Sequence, residues 1–249
     1  MCVLLLFYSI FFIINHVSSH NNHSNVEIIG GDDIPIHKAP YMASLRYNRT
    51  LHYCGASIIH KRFLITAAHC ILPNITYNIL VGTSLLDRGG IVYDIEKFIV
   101  HEAYSKITKD FDISLIKLKR PLEYGPNIAE VPLADGRLKL RSGNMFSVTG
   151  WGVTDGGAFP LNLRQAKVAM VSRNRCQIQY WSIRLTSRMI CAGGVHADAC
   201  QGDSGGPLTY KNVQVGISSF GHGCGILPGV YTKISPLLPW IEKNIARNL

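Results

Sequence analysis

From Ile28 onward the chain is broken into short apolar or alternating runs, each bounded by turn-forming residues. In the first half these are Tyr41–Arg46, Tyr53–Ile59, Arg62–Thr66, Ile91–Val100 and Ser114–Leu118. In the second they are Met145–Thr149, Gln165–Val171, Arg188–Ala192, Pro207–Tyr210, Val213–Ser218 and Gly229–Ile234. No long helical pattern alternates with them, so a parallel βαβ sheet is excluded and an antiparallel sandwich or pair of barrels is expected. The 23 Gly and 11 Pro supply the turns that such a fold needs. Pro, Gly and charged residues between Arg120 and Gly143 mark a link between two halves. Two helices are expected. Ser172 caps one running to Tyr180, and Trp240, Ile241 and Ile245 sit at helical spacing behind Pro239 in a C-terminal one.

The apolar run from Val3 to Ile14 is shorter than the about 20 residues a membrane-spanning helix requires. It reads as a signal peptide over residues 1–19, with Val17-Ser18-Ser19 as the cleavage site. No Lys or Arg precedes it, and a buried N-terminal strand is the competing reading. Residues 20–27 are a polar stub, expected to be a propeptide, leaving 28–249 as the folded domain. Sequons at Asn22, Asn48 and Asn74 agree with a secreted, extracellular glycoprotein. Of seven cysteines, Cys2 falls in the leader. The others, Cys54, Cys70, Cys176, Cys191, Cys200 and Cys224, form an even set suited to disulfides, with about 15 connectivities open on arithmetic alone. None has the C-x-x-C spacing of a zinc or redox site, and no metal or cofactor is expected. The net charge of +9 is dispersed, without aromatic interleaving, so a solvated basic surface is favoured over a nucleic-acid site.

The stretch with most chemical content is Gly202-Asp203-Ser204-Gly205-Gly206-Pro207. A serine hydroxyl needs a base to become a nucleophile, and flanking glycines free the amides of Gly202 and Ser204 to face an oxyanion. Thr66-Ala67-Ala68-His69-Cys70 offers that base at the end of an apolar strand. Asp112, directly ahead of the run Ile113-Ser114-Leu115-Ile116, offers a carboxylate to orient it. Alone, each has an ordinary structural reading: a Gly-Ser turn, a packed histidine, a turn carboxylate. The order His, Asp, Ser is one of those that assemble a catalytic triad.

With Ile28-Ile29-Gly30-Gly31, Gly150-Trp151-Gly152 and Pro228-Gly229-Val230-Tyr231-Thr232, these segments make the chain resemble the secreted trypsin-like serine proteases of the chymotrypsin family. The resemblance covers nearly all of 28–249. It implies an all-β fold of two packed antiparallel β-barrels with a C-terminal helix and a cleft between the barrels. It also implies the disulfides Cys54–Cys70, Cys176–Cys191 and Cys200–Cys224. The catalytic residues become His69, Asp112 and Ser204, with the oxyanion hole at Gly202 and Ser204. Asp198, six residues before the nucleophile, takes the base of the specificity pocket, beside Ala199, with Gly221 and Gly229 on its walls. Ser219-Phe220-Gly221 would pair with the substrate backbone as an added strand, with Phe where the family usually has Trp. An unpaired carboxylate in a narrow pocket selects a cation, so cleavage after Arg, and less readily Lys, is expected.

The family zymogen is cut before Ile28, whose new amine pairs with Asp203; in the inactive form Asp203 instead lies with a His and a Ser, here His52 and Ser44. The residue before the cut is Glu27, so a different activating protease is implied. Thr83 stands where the family's calcium loop has a carboxylate, and the loops after Cys191 and Cys224 are short. Expected partners are protein or peptide substrates, the activating protease and serpin-type or Kunitz-type inhibitors, with no nucleic acid and no membrane, and the chain is expected to be a monomer. Two other readings stay open: a catalytically silent protease homologue that binds partners in an extracellular cascade, and an active enzyme of chymotrypsin-like or elastase-like specificity.

Overall fold

The computed structural model describes residues 31–153, 159–194 and 199–249. The 1–19 and 20–27 segments, Asn22, Ile28 and Asp198 lie outside the described residues.

A two-residue strand β1 (Asp32–Asp33) precedes the first barrel, which comprises β2 (Met42–Tyr47), β3 (Leu51–His60), β4 (Phe63–Thr66), β5 (Tyr77–Val81), β6 (Ile91–Val100) and β7 (Ser114–Leu118). They pair in the ring order β2-β3-β4-β7-β6-β5, every neighbour antiparallel, and β5 closes back on β2. The second barrel comprises β8 (Met145–Gly150), β9 (Arg164–Val171), β10 (Met189–Ala192), β11 (Pro207–Tyr210), β12 (Val213–Phe220) and β13 (Gly229–Lys233). Its order is β9-β10-β13-β12-β11-β8, closed by the pairing of β8 with β9. Closure removes the free strand edges that would otherwise invite association.

Each barrel is filled by its inward side chains. Leu45, Ile58, Ile79, Tyr93 and Leu115 belong to the first core, and Phe146, Val168, Leu208, Val215 and Tyr231 to the second. A third cluster of Ile36, Tyr41, Met42, Val131, Trp151 and Leu163 joins residues from both halves. Helix α1 (Arg173–Gln179) starts where the Ser172 hydroxyl accepts the amide of Arg175, and α2 (Leu238–Asn248) carries Pro239 in its first turn. None of the helices among the described residues is long and apolar enough to cross a membrane.

The terminal segments are exchanged between the halves. β1 pairs with β9 of the second barrel, and the Arg164 guanidinium there binds the Asp33 carboxylate at 2.8 Å and the carbonyl of Gly31. Ile234, Leu237 and Ile241, at the other end of the chain, complete the core of the first barrel.

Candidate active site

Strand β4 ends at Thr66 and runs into a single 3-10 turn, Ala68–Cys70, that carries His69. The Cys54–Cys70 disulfide (S–S 2.01 Å) ties this turn to β3 across a separation of 16 residues. Closing a loop of that size contributes about 3 kcal/mol on the chain-entropy account. Asp112 stands two residues ahead of β7 and is fully buried. Its Oδ2 accepts the ring Nδ1–H of His69 at 2.7 Å, and its Oδ1 accepts the backbone N–H of the same residue at 2.9 Å. The Ser219 hydroxyl, from β12, donates to Oδ2 at 2.5 Å, while the Thr232 hydroxyl, from β13, holds the main-chain carbonyl at 2.9 Å. A carboxylate only accepts, and here three donors meet it. With Nδ1 committed as donor, Nε2 of His69 is left with its lone pair on a ring that remains partly exposed. That tautomer can take a proton from a hydroxyl.

Ser204 comes from the second barrel, in the bend before β11. Its carbonyl accepts the Gly55 amide of β3 at 2.8 Å. Gly205, at φ +77°, lies so close to the His69 strand that a Cβ would overlap the Thr66 hydroxyl and stand 3.0 Å from the amide of Ala67. Only glycine lets the two barrels meet there. The amides of Asp203, Gly205 and Gly206 are spent on the carbonyls of Cys200, Ser218 and Asp203, whereas those of Gly202 and Ser204 donate to no backbone carbonyl among the described residues. Alternate free amides of this kind can receive a developing oxyanion.

Beside Ser204 opens a cavity of about 220 Å³, lined by Ala199, Ser219, Phe220, Gly221 and Gly229 among others. The Cys200–Cys224 bridge closes one side and both its cysteines line the space. From α1, Tyr180 donates its hydroxyl to the carbonyl of Pro228 at 2.7 Å and sets its ring edge-on to Phe220, with centroids 5.8 Å apart. The third bridge, Cys176–Cys191, fastens α1 to β10. Asp198 lies outside the described residues, so the charge at the base of the cavity stays an expectation from sequence.

Asp203 is turned away from Ser204 into the interior. Its Oδ1 accepts the amide of Gly152 at 2.8 Å and its Oδ2 that of Cys200 at 3.0 Å. A Cβ on Gly152 would fall onto this carboxyl. Burial pushes the Asp203 pKa up to about 6, against the pull of the two amide bonds. The hydrogen bonds of His52 go elsewhere than Asp203: its Nε2 bonds the Gly202 carbonyl at 3.0 Å and its Nδ1 the Ser44 hydroxyl at 2.7 Å. Edge contacts with Trp151 and Phe159 enclose the ring, and desolvation lowers its pKa to about 4. His52 is therefore neutral, an Nε2 donor and an Nδ1 acceptor.

Asn48 and Asn74 are exposed in turns at φ 47° and 61°. The group of metal-type donors among the described residues, Cys54, His69 and Cys70, has both sulfurs consumed by a disulfide. Thr83 turns its hydroxyl to the Arg88 carbonyl and Leu85 amide of its own loop. Gly55 and Thr66 receive the Ser204–Gly205 bend without being marked by a sequence motif, and Ser219, expected beside the substrate, also bonds Asp112. A glycine inside an apolar strand, as at Gly55, was the available signal of a close backbone approach.

The model of the Trypsin family matches residues 28–241. The chain is 37% identical over 229 residues to the vitellin-degrading protease of Bombyx mori, covering 89% of this chain and 86% of that protein. It is 37% identical over 222 residues to chymotrypsin-2 of Vespa crabro (87% and 99%), and 34% identical over 227 residues to trypsin 5G1 of Aedes aegypti (88% and 85%). Among solved structures, neuropsin, a serine protease expressed in the limbic system of mouse brain, superposes with a TM-score of 0.80 at 33% identity, covering 86% of this chain and 98% of that one. Two closed six-stranded barrels, with the His69–Asp112 pair and Ser204 at their junction, belong to a serine endopeptidase acting on protein substrates, and the chain is a member of the trypsin family.

Proposed function

We propose that Ser204, His69 and Asp112 form the working triad of an active enzyme. Ser204 attacks the scissile carbonyl, His69 Nε2 takes its proton and delivers it to the leaving amine, and Asp112 holds the imidazole in the required tautomer. The amides of Gly202 and Ser204 bind the oxyanion, and water then hydrolyses the acyl-enzyme. The observation that carries this reading is Asp112, buried without exposure and bonded twice to His69 in a turn against which the Ser204–Gly205 bend is packed. Ser204→Ala should lower peptide hydrolysis by several orders of magnitude, on the scale of about 10⁶-fold for a lost serine nucleophile, while preserving the melting temperature. A serine-reactive phosphonate should label Ser204 in the mature chain. A folded chain that takes no label would instead be a silent homologue serving as a binding partner.

The fuller reading is a secreted zymogen: signal 1–19, propeptide 20–27, protease 28–249. It is activated when another protease, acidic-specific, cuts after Glu27 or an aminopeptidase trims a longer stub. The Ile28 amine would then meet Asp203, whose buried carboxyl lacks a countercharge in its two amide bonds. With Asp198 at the base of the cavity, substrates would be cut after Arg in preference to Lys, because Ala199 offers no hydroxyl to an ammonium. A chymotrypsin-like preference is favoured by the wasp relative's name and by the apolar Phe220 and Ala199 on the cavity wall. Matched Arg, Lys, Phe and Leu peptides compared by kcat/KM separate the two. The proposed enzyme is an extracellular monomer, glycosylated at some of Asn22, Asn48 and Asn74, and open to serpin-type or Kunitz-type inhibitors.

A further inference from the structure

Asp112 is presented to His69 by an unusual neighbour. Phe111 has φ +56°, a left-handed conformation that a bulky side chain rarely adopts. Its carbonyl accepts the amide of Ile113 at 2.8 Å, closing a three-residue turn with Asp112 at the apex. The backbone of Phe111 thus decides where the Asp112 carboxylate points.

The Phe111 ring is packed by two side chains. The His101 imidazole lies with its centroid 4.5 Å from that of Phe111 and its plane tilted by 30°, and the Trp240 indole of α2 stacks on His101 at 4.7 Å and 26°. The Arg188 guanidinium lies over the Phe111 ring, its Cζ 4.1 Å from the centroid. Arg188 is held in turn by Asp110: its Nε donates at 2.9 Å to Oδ1 and its Nη2 to Oδ2. Asp110 Oδ1 also accepts the Thr186 hydroxyl at 2.9 Å and the backbone amide of Phe111 itself at 3.0 Å. The result is a continuous run of contacts, Arg188–Phe111–His101–Trp240, that begins at the residue before Asp112. Arg188 and Thr186 are second-half residues just before β10, whereas His101 follows β6 of the first barrel.

We propose that Arg188 and Phe111 are positioning residues for the triad: the contacts of Arg188 and His101 with its ring hold Phe111 in its left-handed conformation and so fix Asp112 against His69 across the junction of the barrels. Neither residue lines the cavity beside Ser204 or touches the reacting atoms. The inference rests on the triad reading, and it adds a dependence of catalysis on a second-half arginine. Its physical basis is that backbone strain persists only where surrounding contacts over-determine it. A guanidinium stacks flat on an aromatic face while its fork binds a carboxylate, and lysine offers no such plane.

The test follows from what asparagine does to such a turn, since asparagine enters the left-handed region readily without such contacts. In the full mature enzyme, with rates normalised to sites titrated by a serine-reactive phosphonate, Arg188→Met and Phe111→Ala should each lower kcat, between about ten- and a hundred-fold, with KM nearly unchanged. Phe111→Asn should keep kcat within a few-fold of wild type. The decisive variant is Arg188→Met combined with Phe111→Asn: the asparagine should restore the kcat that Arg188→Met removes, although the stacked contacts are now gone and stability falls further. Arg188→Met leaving kcat unchanged, or a double variant no better than Arg188→Met, would overturn the proposal. Folding failure of a single variant leaves that comparison readable, because Phe111→Tyr retains the stack and Arg188→Lys keeps the charge without the plane; equal kcat in those two also overturns it. Failure of the triad reading shows separately, as a wild-type enzyme whose rate is indifferent to Ser204→Ala.

Discussion

The Ser219 hydroxyl and the His69 ring share one oxygen of Asp112, Oδ2, at 2.5 and 2.7 Å. Ser219 belongs to the second barrel and His69 to the first, so the carboxylate is the joint between them. The segment that lines the cavity beside Ser204 is therefore also bonded to the carboxylate that holds His69.

Ser219→Ala should lower kcat by about tenfold, the worth of one hydrogen bond to a charged acceptor. The cavity wall at Ser219 is largely kept by alanine, so KM for a small peptide should move much less. Steady-state kinetics on one peptide series checks the split; a change confined to KM would assign Ser219 to substrate contact alone.

Gly205→Ala should be far more damaging than its size suggests. The new methyl meets the Thr66 hydroxyl and the Gly55 carbonyl, and φ +77° is already unfavourable for alanine. The Ser204–Gly205 bend would be displaced from β4, with a loss of at least about a hundredfold in kcat/KM. Combining it with Thr66→Ala should recover part of that loss, and the double-variant cycle measures how much.

Stability should depend on pH through His52. Its folded pKa of about 4 lies below the unfolded value of 6.5, so the neutral ring is favoured by folding. That contribution is fully present above pH 6.5 and is lost as pH falls towards 4, up to roughly 3 kcal/mol. Urea unfolding of the wild type and of His52→Gln at several pH values in this window should show the steeper decline in the wild type. Parallel curves would mean that other groups carry the acid sensitivity.

Asp203 has the opposite sign. Its pKa is raised to about 6 from 3.8, so its share of stability is present below pH 3.8 and lost as pH rises through 6. An amine arriving from Ile28 should cancel that loss. A processed enzyme whose N-terminus has been acetylated should then unfold more easily at pH 8 than the free-amine form, by up to roughly 3 kcal/mol, and the gap should close near pH 4. Calorimetry of the two forms measures it; equal melting temperatures at pH 8 would refute the pairing.

Much of the fold is legible because its strands are short apolar or alternating runs separated by turn-forming residues. Ile91–Val100, Ser114–Leu118 and Pro207–Tyr210 are the strands expected from sequence, residue for residue. Tyr77–Val81 was not anticipated. All five residues are buried, Asn78 among them, so the run shows neither alternation nor continuous apolarity. β1 consists of two aspartates and owes its pairing entirely to β9. At the site, His69, Asp112 and Ser204 stand in motifs of local composition. The contacts of Thr66 with Gly205, and of Phe111 with Arg188 and His101, join segments apart in the chain, and local composition does not show them.

The C-terminal helix closes the barrel made from the first half of the chain, with Leu237 and Ile241 in that barrel's core and Trp240 stacked on His101. Order of synthesis and order of completion are thus opposed. Strands β2 to β7 leave the ribosome first, yet their core stays open until Ile234, Leu237 and Ile241 have followed. Without that helix the first barrel would lack Ile241 in its core and His101 would lack its stacked indole, so folding of the first half waits on a segment far downstream.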